Sequence, residues 1–435
     1  MNDSDVDSLA RWLERIESLR SGPSIALGLD RIRPIFARMG LAPTCPVVLV
    51  GGTNGKGSVC AYLDAILRAG GYRVGRYTSP HLHRFQERVA IGGRAVDDAA
   101  LVAAFDAVEA ARDGVALTFF EYTTLAAFHV FRTADLDAWV VEVGLGGRLD
   151  ATNVLDADCA VIVSIGVDHT DWLGPTRELI AIEKAGIVRR GQPVIVADPD
   201  PPASLGHAIG GHGGHAYLIG REFGWHRVGE VPLQWGFWMH DAAAGADARY
   251  HRHGLPLPAL RGNVQLGNAA AALAALHCLR ERLPVAQAAV KEGLLNVEWP
   301  GRFQVLPGRP VVVLDVAHNP HAARALAATL ADMKFIRTTH AVFSMFADKD
   351  IDGVVDAVRA QIGHWHVAPL PGPRATPLAH LVKRLLAHGV AVDAIHPHDS
   401  IAEAFAAAQK SAAEADRIVI FGSFLTVAEA TEAGE

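Results

Sequence analysis

The sequence predicts two α/β domains in tandem, each a parallel sheet with helices on both faces. Three observations predict it. Short, continuous apolar runs alternate with longer helical patterns, as expected for strands buried on both faces. A glycine-rich loop, Gly51–Ser58, separates the first such run from the helix that follows it. A second alternation of runs and helices begins after Trp299, so the pattern starts afresh on a new sheet.

The elements follow in order. MNDSDVDSLARWLERIESL is an acidic, amphipathic helix, and SGPSIALGLDRIRP is a loop-like stretch. Pro46–Val50 reads as a buried strand. After the glycine loop, Val59, Tyr62, Leu63, Ile66 and Leu67 recur at helical spacing, and Gly70-Gly71 stop the helix. Further strands are expected at Arg73–Tyr77, Ala138–Val143, Ala160–Ile165 and Pro193–Ala197, with helices at Asp97–Ala111 and Thr123–Thr133. Residues 198–260 are rich in Gly, His and Pro, and only short strands and loops are expected there. Within them the histidines of Gly206–His215 read as a solvated loop, and Trp225, Trp235 and Trp238 as packing. A helix at Asn268–Arg282 restores order. The second domain then shows strands at Val311–Leu314, Ala341–Ser344, His364–Ala368, Val392–Ile395 and Ile418–Phe421. Its helices are His321–Met333, Asp352–Ile362, Pro377–His388 and Ile401–Glu414. His251, His253, His364, His366, His396 and His398 read as surface pairs. The expected domains are residues 1–298 and 299–435.

Composition narrows the class. The 435 residues are 50% hydrophobic and 20% charged, an ordinary globular balance. The net charge of −7 argues against a general nucleic-acid surface. Cys45, Cys60, Cys159 and Cys278 form no C-x-x-C pair and read as reduced thiols of a cytoplasmic protein. No apolar run reaches the ~18 residues of a membrane span, and the acidic start is no signal peptide.

The chemistry begins at the glycine loop. Thr53, Asn54, Gly55, Lys56, Gly57 and Ser58 lie between a strand and a helix. Backbone N–H groups there would cradle phosphate oxygens, Lys56 would reach the outer phosphates and Ser58 would sit near magnesium. Gly57 between Lys56 and the hydroxyl departs from the usual G-x-x-x-x-G-K-[ST] pattern. In open α/β sheets ligands collect at the carboxyl ends of strands. Those ends carry Thr78-Ser79-Pro80-His81, Glu142-Val143-Gly144-Leu145-Gly146-Gly147 and Asp168-His169-Thr170-Asp171, and oxygen donors suit magnesium. Lys184, on a helix, reads by itself as a surface lysine in an i,i+4 pair. In the second domain, Asp315–Pro320 and Gly422-Ser423 form a second strand-end cluster. Two such domains fit an enzyme that closes to exclude water.

These motifs resemble folylpolyglutamate synthases, within the Mur ligase superfamily. The resemblance rests on GTNGKGS at Gly52–Ser58, SPHL at Ser79–Leu82, EVGLGGRLDATN at Glu142–Asn153, Asp168-His169-Thr170, EKAG at Glu183–Gly186, PGRF at Pro300–Phe303 and DVAHNP at Asp315–Pro320. It runs from about Leu9 to Val427, and the extra Gly57 is normal in that family. Ile25–Arg31, with Gly28, Leu29 and Asp30, and Leu117–Tyr122, with Thr118, Phe119, Phe120 and Glu121, resemble pterin-closing segments of the bifunctional dihydrofolate synthase/folylpolyglutamate synthases. Phe119 or Phe120 could stack on a flat heterocycle there.

The resemblance implies a P-loop-type parallel-sheet ATPase domain followed by a smaller Rossmann-like α/β domain. It implies ATP-dependent joining of L-glutamate to dihydropteroate and to folates through an acyl phosphate. The implied nucleotide residues are Thr53 to Ser58, Asn268, Arg302 and Asp315. Ser79, Glu142 and His169 would hold two magnesium ions, with a monovalent cation as a further ligand, and Lys184 would be carbamylated. Leu149, Asp150 and Ala151 join the pterin/folate set; His318, Ser423 and Arg84 form the glutamate set; Lys56, Lys184 and His318 are the catalytic set. A monomer acting on small molecules, with neither nucleic acid nor membrane as partner, is expected. A folylpolyglutamate synthase without dihydrofolate synthase activity and another Mur-type amino-acid ligase are the alternatives.

Overall fold

The computed structural model describes residues 3–18, 27–229, 233–240 and 248–432. Ile25 and Ala26 of the expected pterin segment lie outside them. Contacts divide the chain into one unit of residues 1–259 and 266–297 and another of residues 260–265 and 298–435.

In the first unit the strands are β1 (Val47–Gly51), β2 (Val74–Tyr77), β3 (Val89–Ile91), β4 (Arg94–Ala95), β5 (Ala138–Glu142), β6 (Cys159–Ile162), β7 (Pro193–Val196) and β8 (His215–Leu218). They form one sheet in the order β4-β3-β2-β5-β1-β6-β7-β8. From β2 to β8 neighbours are parallel; β3 and β4 turn back antiparallel at one edge. Every residue of β1 and β5 is buried, which explains their unbroken apolar runs. The strand order sets the carboxyl ends of β2, β5, β1 and β6 side by side.

Three regions differ from the sequence reading. The histidines of Gly206–His215 are not in a loop: Ala203–His212 is a helix, and His215 opens β8. Leu205 and Ile209, one turn apart, are buried and pin that helix despite its glycines. The 198–260 region also holds an antiparallel sheet of β9 (Phe223–Val228), β10 (Gln234–His240) and β11 (Arg249–Pro256). Trp235, Phe237 and Met239 alternate inward along β10, a strand period diluted by the surrounding Gly and His residues. The helix expected from Asn268 begins at Asn263 and ends at Cys278.

The second unit holds β12 (Gln304–Leu306), β13 (Val311–Leu314), β14 (Thr339–Phe343), β15 (His364–Val367), β16 (Ile395–Pro397) and β17 (Arg417–Phe421). Their order is β12-β13-β17-β14-β15-β16, parallel except for β12. Val392–Ala394 is a 3-10 turn rather than strand, so the edge strand starts three residues later than expected. Of the histidines read as surface pairs, His251 and His253 are exposed and stack with ring centroids 5.2 Å apart, whereas His364, His366, His396 and His398 are partly or fully buried. His340, His364, His366, His396 and His398 line one face of β14 to β16, and His340 and His366 are almost fully enclosed. Parallel register brings their rings into contact, which residue spacing alone does not reveal.

Candidate active site

The glycine loop is shaped by backbone positions that only glycine takes easily. Gly55 has φ 89°, and a Cβ there would stand 2.7 Å from Val163 Cγ1 and 2.8 Å from Asn268 Oδ1. The loop is tied to the end of β6: Thr53 N donates to Ser164 O at 2.7 Å, and Asn54 N to Ser164 Oγ at 3.0 Å. The helix Lys56–Ala69 starts immediately after Gly55, so its first N–H groups and its dipole face the loop. Thr53 to Ser58 and Asn268 thus come together in the first unit.

Two lysines converge on the same carbonyl. Lys56 Nζ donates to Gly52 O and Thr53 O, each at 3.2 Å, and lies 4.0 Å from Glu142 Oε1. Lys184 is buried, and its Nζ donates to Gly52 O at 2.8 Å. It is no surface lysine. The helix Arg177–Ala185 lies against the loop after β5: a Cβ at Gly147 would meet Glu183 O at 2.7 Å, and one at Gly186 would meet Arg148 Cβ at 2.3 Å. Burial, and then the neighbouring Lys56 charge, push the Lys184 amine down to about 7. A fair fraction is therefore a neutral, nucleophilic amine near pH 7.

Glu142 ends β5 fully buried, and its Oε2 accepts the Ser79 N–H at 3.2 Å. A carboxylate and a hydroxyl at adjacent strand ends, beside a phosphate loop, are the hard oxygen donors that magnesium takes together with phosphate oxygens and water. The donor set therefore fits the ion. Among the described residues no three His, Cys, Asp or Glu side chains form a metal-holding group. His169 is exposed at φ 52°, opening the helix Thr170–Leu173, with its N–H on Asp168 Oδ1 at 2.8 Å.

The expected pterin segments also meet. Gly28 N donates to Leu149 O at 3.2 Å. Arg31 grips Glu121 with Nη2 at 2.8 Å and Nε at 3.1 Å. Glu121 and Thr118 close a capping box at the start of the helix Phe119–Thr133, which begins four residues earlier than its apolar period predicts. Leu29 is buried and Asp30 exposed. Phe120 stacks near Tyr77, with centroids 6.2 Å apart, and lies against Gly144, where a Cβ would be 2.3 Å from its Cζ. Asp150 turns inward: Leu145 N, Thr152 N and Thr152 Oγ1 all donate to its carboxylate, and Ala151 is buried beside it. The visible work of Asp150 is to shape the loop. Arg84 is exposed, with its N–H on Glu87 Oε1 at 2.7 Å.

The second unit carries its own cluster. Asp315 accepts from Phe303 N at 2.9 Å and Ala317 N at 2.8 Å, tying the Arg302 turn to the end of β13. The Arg302 guanidinium lies 4.9 Å from the Phe424 ring centroid, and the His318 ring 6.2 Å from it. Ser423 is buried, and its Oγ accepts from Leu425 N. Sequence reasoning missed Ser164, which ties the glycine loop to the end of β6; it was legible only as the one polar residue within an apolar run.

A nucleotide-phosphate loop flanked by two lysines and a strand-end carboxylate, with a second α/β unit behind it in the chain, defines an ATP-dependent ligase of the Mur type. The Mur ligase, glutamate ligase domain family matches residues 301–424. The chain belongs to the dihydrofolate synthase/folylpolyglutamate synthase family. It is 42% identical over 425 residues to the Escherichia coli (strain K12) dihydrofolate synthase/folylpolyglutamate synthase, covering 98% of this chain and 95% of that one. Escherichia coli FolC in complex with DHPP and ADP has a TM-score of 0.90 at 41% identity, covering 98% and 97% of the two chains. A bifunctional folylpolyglutamate synthase/dihydrofolate synthase with Mn, AMPPNP and L-glutamate bound has a TM-score of 0.88 at 40% identity, covering 98% and 97%.

Proposed function

We infer that this enzyme uses ATP to join L-glutamate to dihydropteroate, forming dihydrofolate, and to folates as γ-linked additions. The observation that carries the reading is the convergence of Lys56 and Lys184 on Gly52 O beside the buried Glu142. The relatives bound to DHPP, ADP, AMPPNP and L-glutamate support the substrate set.

A carboxylate is a poor electrophile at neutral pH. Its oxygen attacks the γ-phosphorus of ATP, ADP leaves, and an acyl phosphate forms. The glutamate amine then attacks the acyl carbon, loses a proton, and inorganic phosphate departs. Ser79 and Glu142 would hold a magnesium ion, with His169 in a second set, and that ion would supply positive charge to the phosphoryl oxygens. Lys56 leaves its resting carbonyls and pairs with the outer phosphates, stabilising charge as it shifts to the leaving oxygen. The Thr53–Ser58 loop and the start of its helix orient the phosphates. The Phe119–Phe120 segment, Gly28–Asp30 and Leu149–Ala151 hold the pterin. Asn268, Arg302 and Asp315 take the nucleotide; His318, Ser423 and Arg84 take glutamate, with His318 at the reacting amine. A neutral Lys184 amine is able to take up carbon dioxide, and the resulting carbamate is an oxygen donor in place of a cation. A monovalent cation is a further ligand.

The functional division follows residues 1–298 for ATP and pterin and 299–435 for nucleotide and glutamate contacts. The enzyme works as a cytoplasmic monomer on small molecules, independent of nucleic acid and membrane; its net charge of −7 speaks against a general nucleic-acid surface. The test is phosphate release from ATP, expected only when both a pterin acid and glutamate are present. Equal release without either substrate would overturn the ligase reading. Release with tetrahydrofolate but not dihydropteroate would leave glutamate addition to folates alone.

A further inference from the structure

Arg88 is a cation that the site described above does not use. It ends the 3-10 turn Phe85–Arg88, and its carbonyl accepts the Thr78 N–H at 2.9 Å, which holds it beside Ser79. Its guanidinium lies over two rings, 5.4 Å from the Phe85 centroid and 5.6 Å from that of Phe119. Nε donates to His81 Nδ1 at 2.9 Å. Among the described residues no carboxylate pairs with Arg88. Its two Nη groups have no protein acceptor there, and neither is sealed from solvent. A guanidinium stays charged at any pH a protein survives; Glu142, Glu17 and Glu87 act on it only through space, and half-burying it with no carboxylate in contact is costly. Its planar fork matches a carboxylate. Phe119 places this fork at the segment that receives the pterin substrate.

We propose that Arg88 binds the α-carboxylate of the terminal glutamate of a folate substrate, the carboxylate that does not react. This rests on the ligase reading above. A folate presents two carboxylates at that residue. The γ-carboxylate must attack phosphorus, and a bidentate guanidinium would hold its electron pairs in the ground state and slow it. The α-carboxylate stays anionic throughout, so a fixed fork serves it without opposing the chemistry. Dihydropteroate has only the reacting carboxylate. Arg88 therefore distinguishes the two acceptor substrates: it contributes to glutamate addition on folates and little to dihydrofolate formation.

The experiment compares Arg88→Gln and Arg88→Lys with the unaltered enzyme on both acceptors. For tetrahydrofolate, KM is expected to rise about 10- to 100-fold in Arg88→Gln, with kcat changing far less, and less severely in Arg88→Lys. For dihydropteroate, KM stays within about threefold. Retained dihydropteroate activity shows that the variant folds and that the ligase reading stands. Equal loss on both acceptors, or loss on neither, overturns the proposal. The unaltered enzyme supplies an arm independent of folding: the α-carboxamide analogue of tetrahydrofolate should bind about as poorly as tetrahydrofolate binds to Arg88→Gln. Undiminished use of that analogue also overturns it.

Discussion

Lys184 and Lys56 share one acceptor, Gly52 O, yet their burial gives them different states. Lys184 is enclosed, so water cannot stabilise its charge, and the nearby Lys56 opposes a second cation. Replacing Lys184 with Arg installs a cation that cannot lose its proton at that point. Lys184→Arg is therefore expected to cut kcat by at least about 100-fold, measured as ADP formation with both substrates saturating. Activity within a few-fold of the unaltered enzyme would remove the neutral amine from the reaction. Lys56→Ala should abolish turnover while thermal unfolding stays nearly unchanged, because Lys56 is a loop-facing lysine rather than a core residue; unchanged turnover would exclude it from the site.

The Phe119–Thr133 helix illustrates the element scale. Its apolar period suggests a start at Thr123, but Thr118 and Glu121 close the first turn four residues earlier. That extra turn fixes both phenylalanines. Thr118→Ala removes the side-chain acceptor for Glu121 N and is expected to cost about 1 kcal/mol in urea unfolding. KM for the pterin acid should rise with it, while KM for ATP stays level. Gly55→Ala tests the neighbouring element, where a Cβ would press Val163 and Asn268 at φ 89°. A cost of about 1–3 kcal/mol is expected, with weaker ATP binding by calorimetry. Wild-type ATP affinity in a folded Gly55→Ala protein would refute the strained loop as the phosphate cradle.

The histidine face of β14 to β16 sets how the second unit responds to acid. His366 Nε2 lies 3.4 Å from His340 Nδ1, and His366 Nδ1 lies 3.2 Å from His398 Nε2. His364 Nδ1 and His396 Nε2 are 3.2 Å apart, and His340 Nε2 is 3.6 Å from Asp416. One tautomer satisfies the main run: each ring donates from Nε2 toward Asp416 and accepts at Nδ1. Burial, and then mutual repulsion, lower His340, His396 and His398, and bring His366 to about 3. Asp416, Asp393, Asp399 and Glu403 oppose the shift, and Arg417 stands on the adjacent strand. Unfolded histidine titrates near 6.5. Below that value the unfolded chain binds more protons than the folded one, so stability falls as pH falls. For buried His340 and His366 the loss is up to about 2 kcal/mol each between pH 6.5 and pH 5. His388, raised by Asp356 and Asp352, has the opposite sign, but Asp356 is exposed and the contribution small. Calorimetric unfolding of the second unit should therefore drop in temperature from pH 7 to pH 5, with a shallower slope in His366→Phe. A flat profile would contradict buried neutral rings.

Much of this was legible in the sequence because its cues are local. An apolar run followed by GTNGKGS and a helical period specifies strand, loop and helix without reference to the rest of the chain. EVGLGGRLDATN is equally self-contained: Asp150 bonds two and five positions away within its own loop, so the loop's shape is written in neighbouring residues. The strand order was not legible, nor was anything that follows from it. Glu142 meets Ser79 across 63 positions, Lys184 meets Gly52 across 132, and the histidine rings align only once β14, β15 and β16 pair in register. Lys184 looked like a surface lysine because a helix period reports which face is apolar, not that another loop covers the polar one. Arg88 carried no signal in the sequence, because only packing shows that two rings lie under its guanidinium and that no carboxylate touches it. The sequence by itself determined the α/β class and the family's chemistry through short-range pattern; the tertiary structure alone decided which charges are buried together, because desolvation depends on distance in space.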